Sequence, residues 1–225
     1  NSHMILRLLF NDSGAVDVYS KSGRGMELAR YGWYPTAEQQ ELERAGADAY
    51  EVGNTIGCGG FALWDGEKEV RLVATRGRTA RVGETKKGSY VEMTAYGVEY
   101  MGGLVDIMVR IDVNVKSRLA SVSAKELSGK KVRFLTGVNF HEGQKVIVDK
   151  KHVAVWGQHP VEGTAFPVGA AVLFSDKAFP TVERTGDMVR IISEPAEEVK
   201  TRILASSTKE AELNSAKRFE EYVVY

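Results

Sequence analysis

The stretch Val105-Asp106-Ile107-Met108-Val109-Arg110-Ile111-Asp112-Val113-Asn114-Val115 decides the fold class of this chain. Val105, Ile107, Val109, Ile111, Val113 and Val115 occupy every second position, and polar or flexible residues fill most of the positions between them. Six β-branched residues in strict period two leave no room for a helical reading, because a helix repeats every 3.6 residues. One face of this strand is buried. The other, with Asp106, Arg110, Asp112 and Asn114, is either wet or lines a cleft.

Working outward, strand candidates recur at regular spacing on both sides. Upstream they are Glu69 to Thr75, Arg78 to Gly83 and Ser89 to Tyr100. Downstream they are Ser117 to Ser123, Lys131 to Phe140, Lys145 to Asp149, His152 to Trp156, Ala170 to Ser175 and Met188 to Ser193. Asp65-Gly66, Lys86-Lys87-Gly88, Met101-Gly102-Gly103, Ser128-Gly129, Glu142-Gly143 and Thr185-Gly186 supply the turns. This pattern predicts a mostly β chain, an antiparallel β-sandwich or barrel. Near the start, Ile5 to Phe10 and Ala15 to Ser20 read as a hairpin, and Thr36 caps a short helix through Ala45 that Gly46 ends. At the other end, Leu213, Ala216, Phe219 and Tyr222 recur at three-residue steps, so Glu210 to Tyr222 reads as a terminal helix on the sheet. Neither an internal repeat nor a low-complexity linker divides the chain, so residues 5–225 are expected to form one domain, with 1–4 a cloning scar.

Composition narrows the function. Thirty Lys and Arg balance thirty Asp and Glu, which argues against a sequence-independent nucleic-acid binder. The single cysteine, Cys58, excludes an intrachain disulfide and suits a reducing compartment. No apolar run is long enough to span a bilayer. A cytoplasmic protein is therefore expected, or a secreted one whose leader was removed, with no nucleic-acid or membrane partner and with homo-oligomer formation open.

Between the irregular first part and the strands lies Gly53-Asn54-Thr55-Ile56-Gly57-Cys58-Gly59-Gly60-Phe61-Ala62-Leu63-Trp64. A phosphate loop needs Lys-Ser or Lys-Thr after its last glycine, and a dinucleotide fingerprint must open a helix. Gly60 instead leads into strand residues, so nucleotide binding is set aside and no cofactor is expected. The glycines permit close strand approach or clear space beside a ligand.

Three histidines fall in one third of the chain: His141, His152 and His159. None has the helical spacing of a zinc pair, and no metal is expected. The residue type suits proton transfer, with His141 and His159 ahead of His152. His141 and Glu142 face opposite ways on an extended strand and cooperate only if the chain bends at Gly143. With no Gly-x-Ser-x-Gly elbow and no basic residue beside Cys58, nucleophilic acyl transfer is disfavoured. Arg110 is a candidate carboxylate clamp, although a solvated strand face explains it as well. Trp33, Tyr34, Trp64 and Trp156 are candidates for stacking on sugar rings, although core packing explains aromatics equally.

The run from Asp48 to Asp65, together with Arg24-Gly25-Met26-Glu27-Leu28, Trp33-Tyr34 and Arg218-Phe219-Glu220-Glu221-Tyr222, resembles an uncharacterised family of the galactose-mutarotase-like superfamily. Members of that family are usually longer at the N-terminus. The resemblance implies a β-supersandwich associated with polysaccharide utilisation and a carbohydrate site on a curved sheet. Mutarotases of that superfamily use a His acid and a Glu base, while related lyases use Arg, Asn or His to neutralise a uronate and Tyr or His to abstract a proton. Arg110, Asn139, His141, His159, Tyr96 and Tyr100 supply such types. The expected site therefore has His141, His159 and Arg110 as catalytic residues, with Trp33, Tyr50, Asn54, Asn139 and Trp156 binding a sugar or oligosaccharide. The expected activity is acid–base chemistry of the lyase or of the epimerase/mutarotase type. A non-catalytic carbohydrate-binding or accessory protein is the alternative.

Overall fold

The computed structural model describes residues 1–31, 35–43, 46–161 and 166–224. In chain order the strands are β1 (Met4–Leu8), β2 (Val16–Ser20), β3 (Ala62–Trp64), β4 (Glu69–Val70), β5 (Arg78–Thr85), β6 (Gly88–Tyr100), β7 (Gly103–Asn114) and β8 (Ala120–Glu126). They continue with β9 (Phe134–Asn139), β10 (Lys145–Val148), β11 (His152–Gly157), β12 (Val168–Leu173), β13 (Thr181–Arg184), β14 (Met188–Ile192) and β15 (Glu198–Ser207). Helix α1 is Ala37–Leu42 and α2 is Ala216–Val224.

An eight-stranded antiparallel sheet runs β10-β11-β12-β15-β8-β7-β6-β5, and a five-stranded one runs β13-β14-β9-β3-β4. They face each other across one apolar layer, a sandwich. Alternation sets which side chains enter it: Val105, Ile107, Val109 and Ile111 of β7 are buried, and Val122 and Ala124 of β8 lie beside them. Met108, Arg110 and Asp112 fall on the opposite face. The β1–β2 hairpin completes the fold, joined to the rest by a parallel bridge from Val16 to Gly57.

Helix α2 covers part of the outer face of the large sheet, where Phe219 and Val223 pack with Trp156, Leu204 and Ala171. It starts at Ala216, six residues later than the periodicity predicts. The Glu210 carboxylate is engaged ahead of it, accepting from the Leu213 and Glu212 amides and pairing with buried Arg118. Thr36 caps α1 as expected, in a reciprocal box with Gln39, and the helix ends at Leu42; Ala45 lies outside the described residues. The expected strand from Glu69 to Thr75 shrinks to two residues, and β13 and β15 appear where no strand was predicted.

The glycine stretch lies between β9 and β2. Gly59 donates its N–H to the Gly137 carbonyl, Cys58 donates to Val16, and the Val16 N–H donates to Ile56. A Cβ on Gly59 would stand 2.3 Å from Ile203 Cγ2, and one on Gly57 would stand 2.1 Å from the Val16 carbonyl oxygen. Both residues also have positive φ, so the close approach of three strands here requires glycine.

Candidate functional site

Downstream of β9, the chain turns through His141 to Gly143, whose φ of +82° allows the bend. Downstream of β11 it reaches His159, and upstream of the glycine stretch it passes Tyr50 and Glu51. These three segments meet at the backbone of Glu51. Asn139 Nδ2 donates to the Glu51 carbonyl at 2.8 Å, and His141 Nε2 lies 3.0 Å from the same oxygen. The Glu51 N–H donates to His159 Nδ1 at 3.1 Å. The two imidazoles pack edge to face at 4.9 Å between ring centroids, and the Tyr50 ring lies 4.5 Å from that of His159.

These contacts fix protonation patterns. Because His159 Nδ1 accepts from an amide, its proton resides on Nε2. His159 is 2% exposed, and burial, reinforced by the neighbouring His141, pulls its pKa down to about 3, so the ring is neutral near pH 7. Burial, with Cys58 alongside, pushes the Tyr50 hydroxyl well above its ordinary range and keeps it protonated. The Asn139 amide is oriented by its bond to Glu51, which leaves Oδ1 as an acceptor. His159 Nε2, Asn139 Oδ1 and the Tyr50 hydroxyl are all buried without a hydrogen-bond partner among the described residues, although the Asn139 backbone N–H lies beside the Tyr50 oxygen. Unpartnered buried polar atoms are rare in folded proteins, so the group is taken as the candidate site.

Two neighbours were not among the expected site residues. Asp17 on β2 is 2% exposed, its Oδ2 paired with Arg7 at 2.5 Å and its Oδ1 unpartnered among the described residues. Burial, with Asp48 adding like charge against the relief from Arg7, lifts its pKa to about 7. Cys58 is fully buried beside Tyr50 and Asp17, and burial pushes its thiol up to about 12. Their only sequence signals were position: one interrupts an apolar hairpin strand, and the other sits among glycines.

Of the expected residues, the structure brings His141, His159, Asn139 and Tyr50 together. It does not bring Arg110, which stands on the outer face of the large sheet. There Asp112 accepts from it at 2.7 and 2.8 Å, Glu92 lies at 3.4 Å, and its guanidinium covers the Tyr90 ring at 3.7 Å. Nor does it bring Trp156, whose ring meets Phe219 of α2 at 5.3 Å because alternation along β11 turns it away from the inter-sheet layer. Asn54 is exposed, and its carbonyl accepts from Arg71 at 2.8 Å. Trp33 lies outside the described residues. Tyr100 bridges the Trp64 carbonyl and the Arg133 amide, a structural role. Among the described residues no three His, Cys, Asp or Glu side chains gather as a metal site requires, and no helix is long and apolar enough to cross a membrane.

A family model described as "Domain of unknown function (DUF4861)" matches residues 1–224, and the chain belongs to that family. Among curated proteins no sequence matches it. A solved polysaccharide lyase is similar to it with 10% identity and a TM-score of 0.33, over 98% of this chain and 34% of the lyase. The chain thus spans about a third of that lyase's length, and so loose a likeness leaves the functional argument to the chain's own residues.

Proposed function

We propose that this member of the DUF4861 family acts on carbohydrates by proton transfer at the cluster of Tyr50, Asn139, His141 and His159. The observation that supports this reading is the convergence of two imidazoles, a phenol and a carboxamide from three distant segments on one backbone unit. The resemblance of the glycine stretch to the galactose-mutarotase-like superfamily supports the substrate class. In this reading, neutral His159 donates Nε2–H to a sugar oxygen and Tyr50 donates its hydroxyl proton, so that negative charge developing on oxygen is stabilised. His141, the half-buried member of the group, carries the acid–base step. Elimination and epimerisation or mutarotation both use such a set.

A second reading, a non-catalytic sugar-binding module, is favoured by one observation: Asn139, His141 and His159 all bind the Glu51 backbone and hold its segment in place. One experiment separates the two. Incubation with a panel of polyuronides, followed in the ultraviolet for unsaturated product, and with fresh α-sugars, followed by polarimetry, should reveal turnover. His141→Ala should slow it by roughly a hundredfold or more, the usual share of an acid–base group. Sugar-dependent thermal shifts without turnover would establish the binding module instead. Turnover undiminished in both His141→Ala and His159→Ala would remove the chemistry from this cluster.

A further inference from the structure

We propose that the outer face of the large sheet carries a second ligand site, a cationic trough along β8 that holds an acidic polysaccharide. The ligand class rests on the carbohydrate reading above, while the site itself lies apart from the Tyr50 cluster. Strand register builds the trough. Ser123 of β8 is paired with Lys200 of β15 on one side and Arg110 of β7 on the other, and Ser121 is paired with Arg202 and Asp112. Alternation turns all six away from the inter-sheet layer, since the residues between them, Val122, Ile111 and Thr201, are buried. Two short serines thus form a floor between two rows of long side chains, which stand two strand spacings apart, about 10 Å. Two hollows of about 510 and 450 Å³ lie along this floor and share Asp112 and Ser121. The larger reaches the turn between β5 and β6, where Lys86 and Lys87 line it.

The charges decide the ligand. Over the whole chain Lys and Arg only balance Asp and Glu, yet among the described residues the trough sets Lys86, Lys87, Arg110, Lys125, Lys200 and Arg202 against Asp112 and Glu198. Both acids are already paired. Arg110 donates to Asp112 at 2.7 and 2.8 Å, and Lys200 lies 3.0 Å from Glu198. Glu92, opposite Arg110 in register, lies 2.8 Å from Arg81. Among the described residues Lys86, Lys87, Lys125 and Arg202 have no acidic partner. Like charges gathered on one face repel one another, so a ligand with several negative groups relieves that repulsion as it forms new pairs. The uncharged lining is also selective: Thr85, Asn114, Ser117 and the two floor serines donate to and accept from hydroxyl groups. A protein partner would call for aromatic or apolar anchors at the centre of the contact. Single-stranded nucleic acid would call for open aromatic faces on which bases stack. The Tyr90 ring, opposite Asp112 in register, is instead covered by the Arg110 guanidinium at 3.7 Å. A polymer that carries carboxylates or sulfates among its hydroxyl groups matches both halves of the lining.

The test is titration calorimetry at pH 7 and low salt with four polymers: polygalacturonate for carboxylates, heparin for sulfates, uncharged dextran, and single-stranded DNA. Expected is binding of at least one acidic polysaccharide, weakened about tenfold or more between roughly 50 and 200 mM salt, and none of dextran. Binding of polygalacturonate alone would assign a carboxylate ligand, and of heparin alone a sulfated one. Lys86→Ser, Lys87→Ser and Arg202→Ser in one variant should weaken that binding about tenfold to a hundredfold, since each exposed ion pair is worth up to about fivefold. Lys150→Ser, Lys151→Ser and Lys177→Ser together remove the same charge from turns outside the trough and should leave binding unchanged. All six side chains are exposed, so both variants should keep the fold, which circular dichroism checks. Equal loss in the two variants, or dextran bound as tightly, would overturn the trough. Tighter binding of DNA than of either acidic polysaccharide would overturn its occupant. If neither acidic polysaccharide binds while other sugars are turned over and His141→Ala slows them, the trough falls and the carbohydrate reading stands. If no saccharide of any kind binds or is turned over, both fall.

Discussion

Two buried groups should give this protein opposed pH dependences of stability. Asp17 has its pKa raised from the usual 3.8 to about 7, first by burial and then by Asp48, against the partial relief from Arg7. The folded state therefore holds that proton more tightly than the unfolded chain. Stability is greatest below the unfolded value and is lost as pH rises from about 4 to about 7. At about 1.4 kcal/mol per pH unit this amounts to ~4 kcal/mol. His159 does the reverse. Its pKa falls from 6.5 to about 3, first through burial and then through His141, so the unfolded chain takes up the proton first. Its contribution is complete above the unfolded value and is lost as pH falls from 6.5 to 3, by ~5 kcal/mol. Between about pH 4 and 6.5 the two slopes are equal and opposite, and their sum is nearly flat.

Single substitutions should unmask each slope. In Asp17→Asn, a neutral amide stands beside Arg7 where the protonated carboxyl stood, an offset that does not change over this range, whereas the Asp17 slope disappears. Subtracting the wild-type profile should leave a curve that rises by ~4 kcal/mol from pH 4 to pH 7. In His159→Gln the same subtraction should give a curve that falls between pH 3 and 6.5. The other groups facing Asp17 are Arg7 from β1, Asp48 and Tyr50 from the segment before the glycine stretch, and Cys58 within it. All remain in both variants, so their contributions cancel in the difference. Urea unfolding at half-unit pH steps is the assay. A flat difference curve for Asp17→Asn, or one of opposite sign, would refute the claim that this carboxyl is buried and protonated near neutrality.

Three further outcomes follow from single residues. Gly59→Ala should cost about 2–5 kcal/mol in urea unfolding, because a positive φ of 74° adds to the contact at 2.3 Å with Ile203, whereas Gly53→Ala, at φ 56° with open space around it, should cost only ~1–2 kcal/mol. Trp156→Ala should destabilise by about 3–5 kcal/mol through loss of the α2 contact, yet leave sugar binding unchanged, since the residue stands outside the Glu51 cluster. Cys58 should be inert to a thiol reagent such as dithionitrobenzoate in the native state and react fully in denaturant, because its thiol is fully buried and its pKa is pushed up to about 12.

How far the sequence could be read follows from what periodicity measures. Alternation reports which face of one strand prefers water, and in β7 the two faces differ so sharply that Val105 to Ile111 declare themselves. The same rule fails on β2. Val16-Asp17-Val18 reads as an ordinary alternation with Asp17 turned to solvent, but the hairpin is covered on both sides and every residue of β2 is buried. A polar strand face likewise looks the same whether it is solvated or lines a cleft, which is why Arg110 was a fair candidate until its partners Asp112 and Glu92 were seen. The cluster itself lies beyond any local rule. Glu51 is separated from Asn139 by 88 residues, from His141 by 90 and from His159 by 108, and their meeting depends on how β9 and β11 end at the same edge of the sandwich. Residue chemistry could nominate His141 and His159, since imidazoles carry protons, and the family resemblance added Asn139 and Tyr50. It had no means of pairing them, and it gave no hint that Asp17 would be buried beside Tyr50. A buried charge is a contact between segments rather than a property of either one. The pH profile of Asp17→Asn therefore tests the feature of this fold that sequence patterning is least able to supply.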